Sequence, residues 1–296
     1  MKYANLHFHS SYSDGILTPT ELCALGKKLG FGALALTDHD TVGGYKELAR
    51  AAKAEGLECM IGMEVTAKGS SGYHFVALDF DPTEKNMAEF LRKNNEWAYT
   101  LTKAKFEALN AAGKMCGVTW QNVLDMFSTE HWLCNEHVFA ALKKHAGYKE
   151  ADYWEWSELY GNTRVEVKRP WKGHTDAEMI NLIRGAGGVV GLAHPHRQTQ
   201  YLPELFKLGL NGVECDGPDV DEYDKAEALR FATEHDMYIL GGTDHSGRLA
   251  AYEERGDLPL EADGIRWDGS LTPYTDDVRT GVTKEEFEAL KNRIYG

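Results

Sequence analysis

Short apolar runs alternate with amphipathic stretches from the start of the chain, and turn residues mark where each element stops. Residues 3–9 read as a short strand. Thr18, Pro19 and Glu21 then open a helix: Thr18 suits the N-cap, Pro19 the first helical position and Glu21 the capping-box spacing. That helix ends near Gly30, residues 31–37 form a buried strand, 42–56 a second helix, 57–65 a third strand and 73–78 a fourth. Strands alternating with helices predict a parallel sheet or barrel.

The pattern changes between Asp81 and about Lys172. Stretches 84–112, 120–127 and 135–145, rich in Ala, Glu, Lys, Leu and Trp, predict a run of helices with no strand between them. Alternation resumes with a helix at 177–187, a strand at 189–194, a helix around 203–208, a strand at 212–215, a helix at 220–235 and a strand at 237–242. Residues 246–282, rich in Gly and Asp, predict an irregular stretch or a flap near a site, and 285–295 a closing helix. The expected architecture is therefore of the α/β class: a barrel domain from residues 1–80 and 174–296, split by a helical insertion or cap at 81–173.

Composition narrows the function classes. With 43% hydrophobic and 26% charged residues, the chain reads as an ordinary globular protein rather than a disordered one. No run approaches the roughly 20 apolar residues that span a bilayer, and the first residues lack the basic and apolar regions of a signal peptide. A cytoplasmic protein without a membrane partner is expected. Cys23, Cys59, Cys116, Cys134 and Cys215 are scattered with no C-x-x-C pair, which predicts buried free thiols rather than disulfides or a zinc ribbon. A formal charge of −14 argues against an extended nucleic acid as partner. It leaves room for a small anionic substrate: if three carboxylates and neutral imidazoles hold about three divalent cations, the local charge is about +3.

The chemistry-bearing residues fall at the ends of the expected strands. His7 and His9 end the first, Asp38, His39 and Asp40 the second, and Glu64 the third; His74 lies in the fourth. His194, then Glu214 and Asp216, then Asp244 and His245 follow at the later strands. The C-terminal edge of a barrel is where such folds place their chemistry. Two residues apart, His7 and His9 share one face of a strand. Burying this many ionisable groups together is costly unless a cation sits among them. Mixed nitrogen and oxygen donors favour manganese, zinc or iron over calcium or magnesium, and the lack of Cys ligands argues against a purely structural zinc.

The strings H-F-H-S-S-Y-S-D-G from His7 to Gly15, A-L-T-D-H-D ending at Asp40, G-M-E ending at Glu64, A-H-P-H-R at 193–197 and G-G-T-D-H-S-G around Asp244 occur in order along nearly the whole chain. In this the chain resembles the PHP (polymerase and histidinol phosphatase) family. The resemblance implies a distorted (β/α)7 TIM-like barrel with two or three divalent metal ions at its edge. By motif position His7, His9, Glu64 and Asp244 would hold the first ion. Glu64 would bridge to a second held by His74 and His194, and Asp14 and His39 would hold a third with a His from the final motif. Relatives commonly end in D-x-H, whereas here Ser246 stands at the expected His position, so His245 is the candidate.

The expected activity is hydrolysis of a small phosphate ester by a metal-bridged hydroxide. The substrate would be a sugar phosphate or a nucleotide, or a cyclic phosphodiester followed by the resulting monoester. His196, Arg197 and Asp244 are the catalytic candidates, with His196 a candidate acid for the leaving alkoxide and Arg197 a planar fork for phosphate oxygens. Arg197, Arg169 and Lys168 are the substrate-binding candidates. Asp38 and Asp40 are expected to orient ligand imidazoles, and the tryptophans to fill the core. Two other readings stay open: amide-bond hydrolysis by a related metal barrel, and a non-catalytic PHP-like binding module. Histidinol phosphatase is a further possibility inside the family, disfavoured by the large insertion.

Overall fold

Thr18 and Glu21 close the capping box read in the sequence: the Glu21 carboxylate accepts from Thr18 N at 2.8 Å, and Thr18 Oγ1 accepts from Glu21 N at 3.2 Å. Helix α1 (Pro19–Lys28) follows, with Pro19 in its first turn. This is a computed structural model, which describes residues 2–67, 73–168, 174–217, 220–244 and 280–292. Of the expected irregular stretch at 246–282, only 280–282 are described.

Seven strands form one sheet in chain order: β1 (Ala4–Asn5), β2 (Ala33–Leu36), β3 (Glu58–Thr66), β4 (His74–Leu78), β5 (Val189–Leu192), β6 (Gly212–Asp216) and β7 (Tyr238–Gly241). The edges approach each other, since Leu6 N donates to Gly241 O at 3.1 Å and Thr243 N and Asp244 N both donate to His7 O, at 3.0 and 2.9 Å. The result is a nearly closed α/β barrel. Ala33, Ala35, Met60, Val76, Leu78, Val189 and Leu240 pack together in its interior, and α10 (Lys284–Lys291) adds Phe287 and Leu290 to that cluster. Helices α2 (Tyr45–Glu55), α7 (Asp176–Gly185), α8 (Leu202–Lys207) and α9 (Glu222–Glu234) connect the strands on the outside.

The sheet is not all parallel. β4 runs antiparallel to both β3 and β5, while the other pairings are parallel. The cause is the length of the link between β3 and β4, which is too short for a crossover helix, so the chain must turn straight back. The consequence matters for the site. In an antiparallel strand the first residue, not the last, lies at the edge where its neighbours end, and His74 pairs with Thr66 there.

Between β4 and β5 run α3 (Lys85–Ala111), α4 (Trp120–Leu124), α5 (Asn135–Ala146) and α6 (Tyr153–Asn162), the last of which lies outside the helical stretches the pattern predicts. They bury their own apolar cluster, including Phe106, Met115, Phe139, Leu142 and Trp156. The cysteines depart in part from expectation: all five are free, but Cys116 is exposed and Cys59 and Cys134 are half-buried.

Close packing at one glycine sets the spacing between the barrel's first and last strands. A Cβ at Gly242 would lie 2.3 Å from His7 N, which is backbone and cannot swing away. Gly242→Ala is therefore expected to destabilise the fold by about 1–3 kcal/mol, the usual cost of overpacking. Its urea midpoint should fall accordingly, and an unchanged midpoint would show that the two strands are free to part.

Candidate metal centre

Glu64 sits on β3 on the same face as Met60, so its carboxylate points into the barrel, where it is 1% exposed. Five imidazoles surround it. Oε2 lies 3.3 Å from His7 Nε2, 3.2 Å from His9 Nε2 and 3.3 Å from His39 Nδ1, and Oε1 lies 2.8 Å from His74 Nδ1 and 3.0 Å from His194 Nε2. His7 and His9 lie just beyond β1, and Phe8 between them is pinned to β2 by paired bonds with Thr37 (Thr37 N to Phe8 O at 3.0 Å, Phe8 N to Thr37 Oγ1 at 3.1 Å). Asp244, three residues past β7, completes a tetrad with His7, His9 and Glu64: its Oδ1 is 3.0 Å from His9 Nε2 and 3.5 Å from His7 Nε2.

Those distances suit a cation. Donors bonded at about 2.0–2.2 Å to one tetrahedral or octahedral ion stand about 3.0–3.5 Å apart. Five measured separations within the tetrad, including 3.3 Å between the two facing Nε2 atoms of His7 and His9, fall in that span. Two further groups adjoin it: Glu64, His74 and His194, and His9, Asp14 and His39. In the latter, His9 Nδ1 is buried and makes no hydrogen bond, facing Asp14 Oδ1 across 3.4 Å, while His39 Nε2 is 3.5 Å from Asp14 Oδ2. An orphaned buried ring nitrogen aimed at a carboxylate is the arrangement that an ion between them would satisfy.

The electrostatics say the same. Burial pushes His7, His9 and His39 toward the neutral ring, but the carboxylates of Glu214, Glu64, Asp244 and Asp14 outweigh it and hold all three above the ordinary imidazole value, His39 at about 9. Burial would likewise raise Glu64, yet His39, His7 and His194 hold its carboxyl well below the usual range. Among protein groups alone, protons on the rings supply the positive charge that this nest of carboxylates requires. Metal binding would displace them.

Two of these positions, and Asp40 beside His39, depend on unusual backbone. Asp40, His194 and Asp244 have φ of 53°, 27° and 46°, in the left-handed region that non-glycine residues seldom occupy. His194 shows the use of it. Simple alternation from Val190 and Leu192 would aim its ring at the outer face. The left-handed turn brings the ring to Glu64 instead, and the His194 N–H is tied to Glu214 Oε2 at 2.6 Å.

Glu214 is a site residue whose role the sequence did not disclose. Its other oxygen takes His7 Nδ1 at 2.7 Å, which fixes the ring so that Nε2 faces the tetrad. An acid in a buried strand was visible; its partner, 207 residues away in the chain, was not. Asp216 instead pairs with Lys2 and Lys225, both at 2.9 Å. Asp38 does not orient an imidazole. It steps to the other side of the chain from His39 and accepts from Ser10 N, Ser10 Oγ and Ser13 Oγ, each at 2.7 Å, so it clamps the loop carrying Asp14. Asp40 lines a cavity beside Asn94.

The remaining candidates lie elsewhere. His196 is exposed, with Nδ1 3.5 Å from Asp224 and 3.9 Å from Asp221, and the exposed Arg197 donates its backbone N–H to Asp224 at 2.8 Å. Among the described residues no side-chain hydrogen bond or ion pair joins either to the Glu64 cluster; the one link is backbone, His196 N donating to His194 O at 2.6 Å, and the turn at His194 carries both side chains out toward α9. Lys168 is exposed. Arg169 and His245 lie outside the described residues. Next to the cluster a cavity of about 490 Å3 is bounded by Asp14, His39 and His74 below and by the inserted helices above. Trp97 and Trp132 form part of its wall, with the Trp132 ring 6.0 Å from that of His39, so these two tryptophans are not core.

Comparison with known proteins agrees with this architecture. The PHP domain model matches residues 5–191. A 3′,5′-nucleoside bisphosphate phosphatase from Chromobacterium violaceum is 30% identical over 276 residues, covering 88% of this chain and 93% of that protein. A phosphoribosyl 1,2-cyclic phosphate 1,2-diphosphodiesterase from Eggerthella lenta is 26% identical, covering 83% and 94%. Among solved structures, a chain from Bifidobacterium adolescentis superposes with a TM-score of 0.70 at 23% identity, over 98% of this chain and 95% of that one. An amidohydrolase from Chromobacterium violaceum with bound sulfate gives 0.62 at 25% identity, over 82% and 87%. With its barrel, its edge cluster and a family match over more than half its length, this chain belongs to the PHP domain family.

Proposed function

We propose that this chain hydrolyses a small phosphate ester, a sugar phosphate or a nucleotide, with divalent cations held by the Glu64 cluster. At the coarse level it is a metal-dependent phosphoesterase. The observation that carries the reading is the tetrad of His7, His9, Glu64 and Asp244, whose donor separations of 3.0–3.5 Å match one shared ion. Glu64 would bridge to an ion at His74 and His194, and Asp14 and His39 would hold a third with His9. The mixed donor set suits manganese, zinc or iron. Bound there, such ions supply Lewis acidity toward phosphoryl oxygens and raise the acidity of a water.

The chain's own residues do the rest. Glu214 and the strained turn at His194 hold two imidazoles in fixed orientation, so the donors need little reorganisation when charge develops on the phosphoryl group. The 490 Å3 cavity is within the size range of small-ligand sites and receives the organic part of the ester between the cluster and the Trp97 and Trp132 rings. No helix of the described residues is long and apolar enough to cross a membrane.

Metal analysis of the purified protein should find two or three ions per chain, and a panel of monoesters, bisphosphates and cyclic phosphates should reveal phosphate release. Glu64→Gln and Asp244→Asn are expected to lower that release by roughly 10²–10³-fold or more, the scale of losing one preorganised electrostatic group. Release at the wild-type rate from either variant would remove the proposal. Glu214→Gln keeps the size of the side chain but not both acceptors. Calorimetric titration with Mn²⁺ should show affinity weaker by roughly 10–100-fold, the usual effect of losing a group that orients a ligand, and unaltered binding would mean His7 needs no such support.

A further inference from the structure

Asp14 is held differently from the other members of the cluster. His7, His9, His39, Glu64, His74, His194 and Asp244 lie in strands or within four residues of their ends, whereas Asp14 stands on a turn nine residues past β1. Its side chain is 34% exposed. The turn is fastened internally by Ser13 N and Gly15 N to Ser10 O, both at 3.0 Å, and from the barrel side by Asp38.

Its outward carbonyls go to the inserted helices. Three in succession are taken by one stretch: Ser11 O by His137 Nε2 at 3.0 Å, Tyr12 O by Trp132 N at 2.8 Å and Ser13 O by Cys134 Sγ at 3.2 Å. The Tyr12 ring stacks on His131 with centroids 4.1 Å apart and planes 5° from parallel. The proton on His137 is fixed by its partners. Nδ1 accepts from Cys134 N at 3.0 Å, so Nε2 carries the hydrogen and donates to Ser11 O. Burial, reinforced by His131, pushes this imidazole down to about 3, so it stays neutral and the donor pattern is constant.

We propose that residues 132–137 of the insert are a positioning element for the cation subsite formed by His9, Asp14 and His39, acting through the hydrogen bonds of His137 and Cys134 to the Asp14 turn. The inference rests on reading that group as a cation subsite. It makes occupancy of this subsite depend on docking of the insert, while the Glu64 tetrad depends on the sheet alone.

The test counts ions on the full chain, by Mn²⁺ titration and elemental analysis after desalting, with thermal unfolding measured alongside. Asp14→Asn calibrates loss of the subsite and should take the protein from about three ions to about two. His137→Ala should give the same drop, or a weakening of one ion of at least about tenfold with the others unchanged. His137→Gln, whose amide can still donate to Ser11 O, should recover it. Cys134→Ala removes the Sγ contacts with Ser13 O and His137 Nδ1, both at 3.2 Å, but keeps the His137 bond to Ser11 O, and should move one ion's affinity in the same direction by a smaller step, which keeps the test available if His137→Ala fails to fold. If Asp14→Asn loses an ion while the His137 and Cys134 variants bind as wild type, the positioning role is overturned and the subsite stands. If Asp14→Asn keeps every ion, the subsite reading fails and takes the inference with it. Equal weakening of all ions in step with a lower melting temperature would also overturn it, since that marks a purely structural role.

Discussion

A single buried carboxylate organises this protein. Glu64 is enclosed at the edge of a barrel whose apolar interior is mostly Ala, Val, Leu and Met, and an unpartnered anion there would be too costly to keep. Its two oxygens instead divide five imidazoles between them, three on one and two on the other. Every strand that contributes a ring must therefore end within reach of one point. The sheet order, the spacing of β1 from β7 and the strained turns at Asp40, His194 and Asp244 are all consequences of that requirement.

The antiparallel β4 is the least expected of these consequences. An all-parallel barrel would have brought a strand's last residue to the edge, with Leu78 at the end of β4 and His74 at the far side. Turning straight back from β3 puts His74 beside Thr66, two residues from Glu64 along the sheet, at the cost of a helix on that side of the barrel. The insert then leaves from the other end of β4, and three of its helices, α3, α5 and α6, bound the cavity beside the cluster.

Much of this was legible in the sequence, and the failures have specific causes. The strand and helix alternation, the capping box at Thr18 and the gathering of His and acidic residues at strand ends could be read because each is a local pattern. Asp38 was misread because adjacency to His39 suggested a shared task, whereas successive residues of an extended chain point opposite ways. Glu214 went unassigned because its partners, His7 and the backbone of His194, belong to other strands. Trp97 looked like core because a helix's apolar face reads the same whether it meets another helix or the wall of a cavity, and Trp132, on the segment before α5, because a large apolar ring carries no sign of which surface it will face. Nothing in a linear pattern separates these cases; only the packing of the insert against the barrel does.

The two halves of the site are held by different forces, and this bears on how such a chain can vary. The tetrad around Glu64 is set by hydrogen bonds between strands, so a change there disturbs the barrel itself. The cavity wall and the outer side of the Asp14 turn are set by helices with their own apolar cluster, joined to the barrel by Met87 and Phe90 of α3 and by hydrogen bonds and ring stacking at Ser11, Tyr12 and Ser13. Residues of the insert can therefore be exchanged without touching the donors of the tetrad. The relatives are named for different esters, a nucleoside bisphosphate in one and a cyclic phosphoribosyl phosphate in another, although each matches this chain over more than four-fifths of its length. A barrel edge that fixes the tetrad, with a helical wall that shapes the remaining space, is an arrangement in which the ester can change while the phosphoryl chemistry stays.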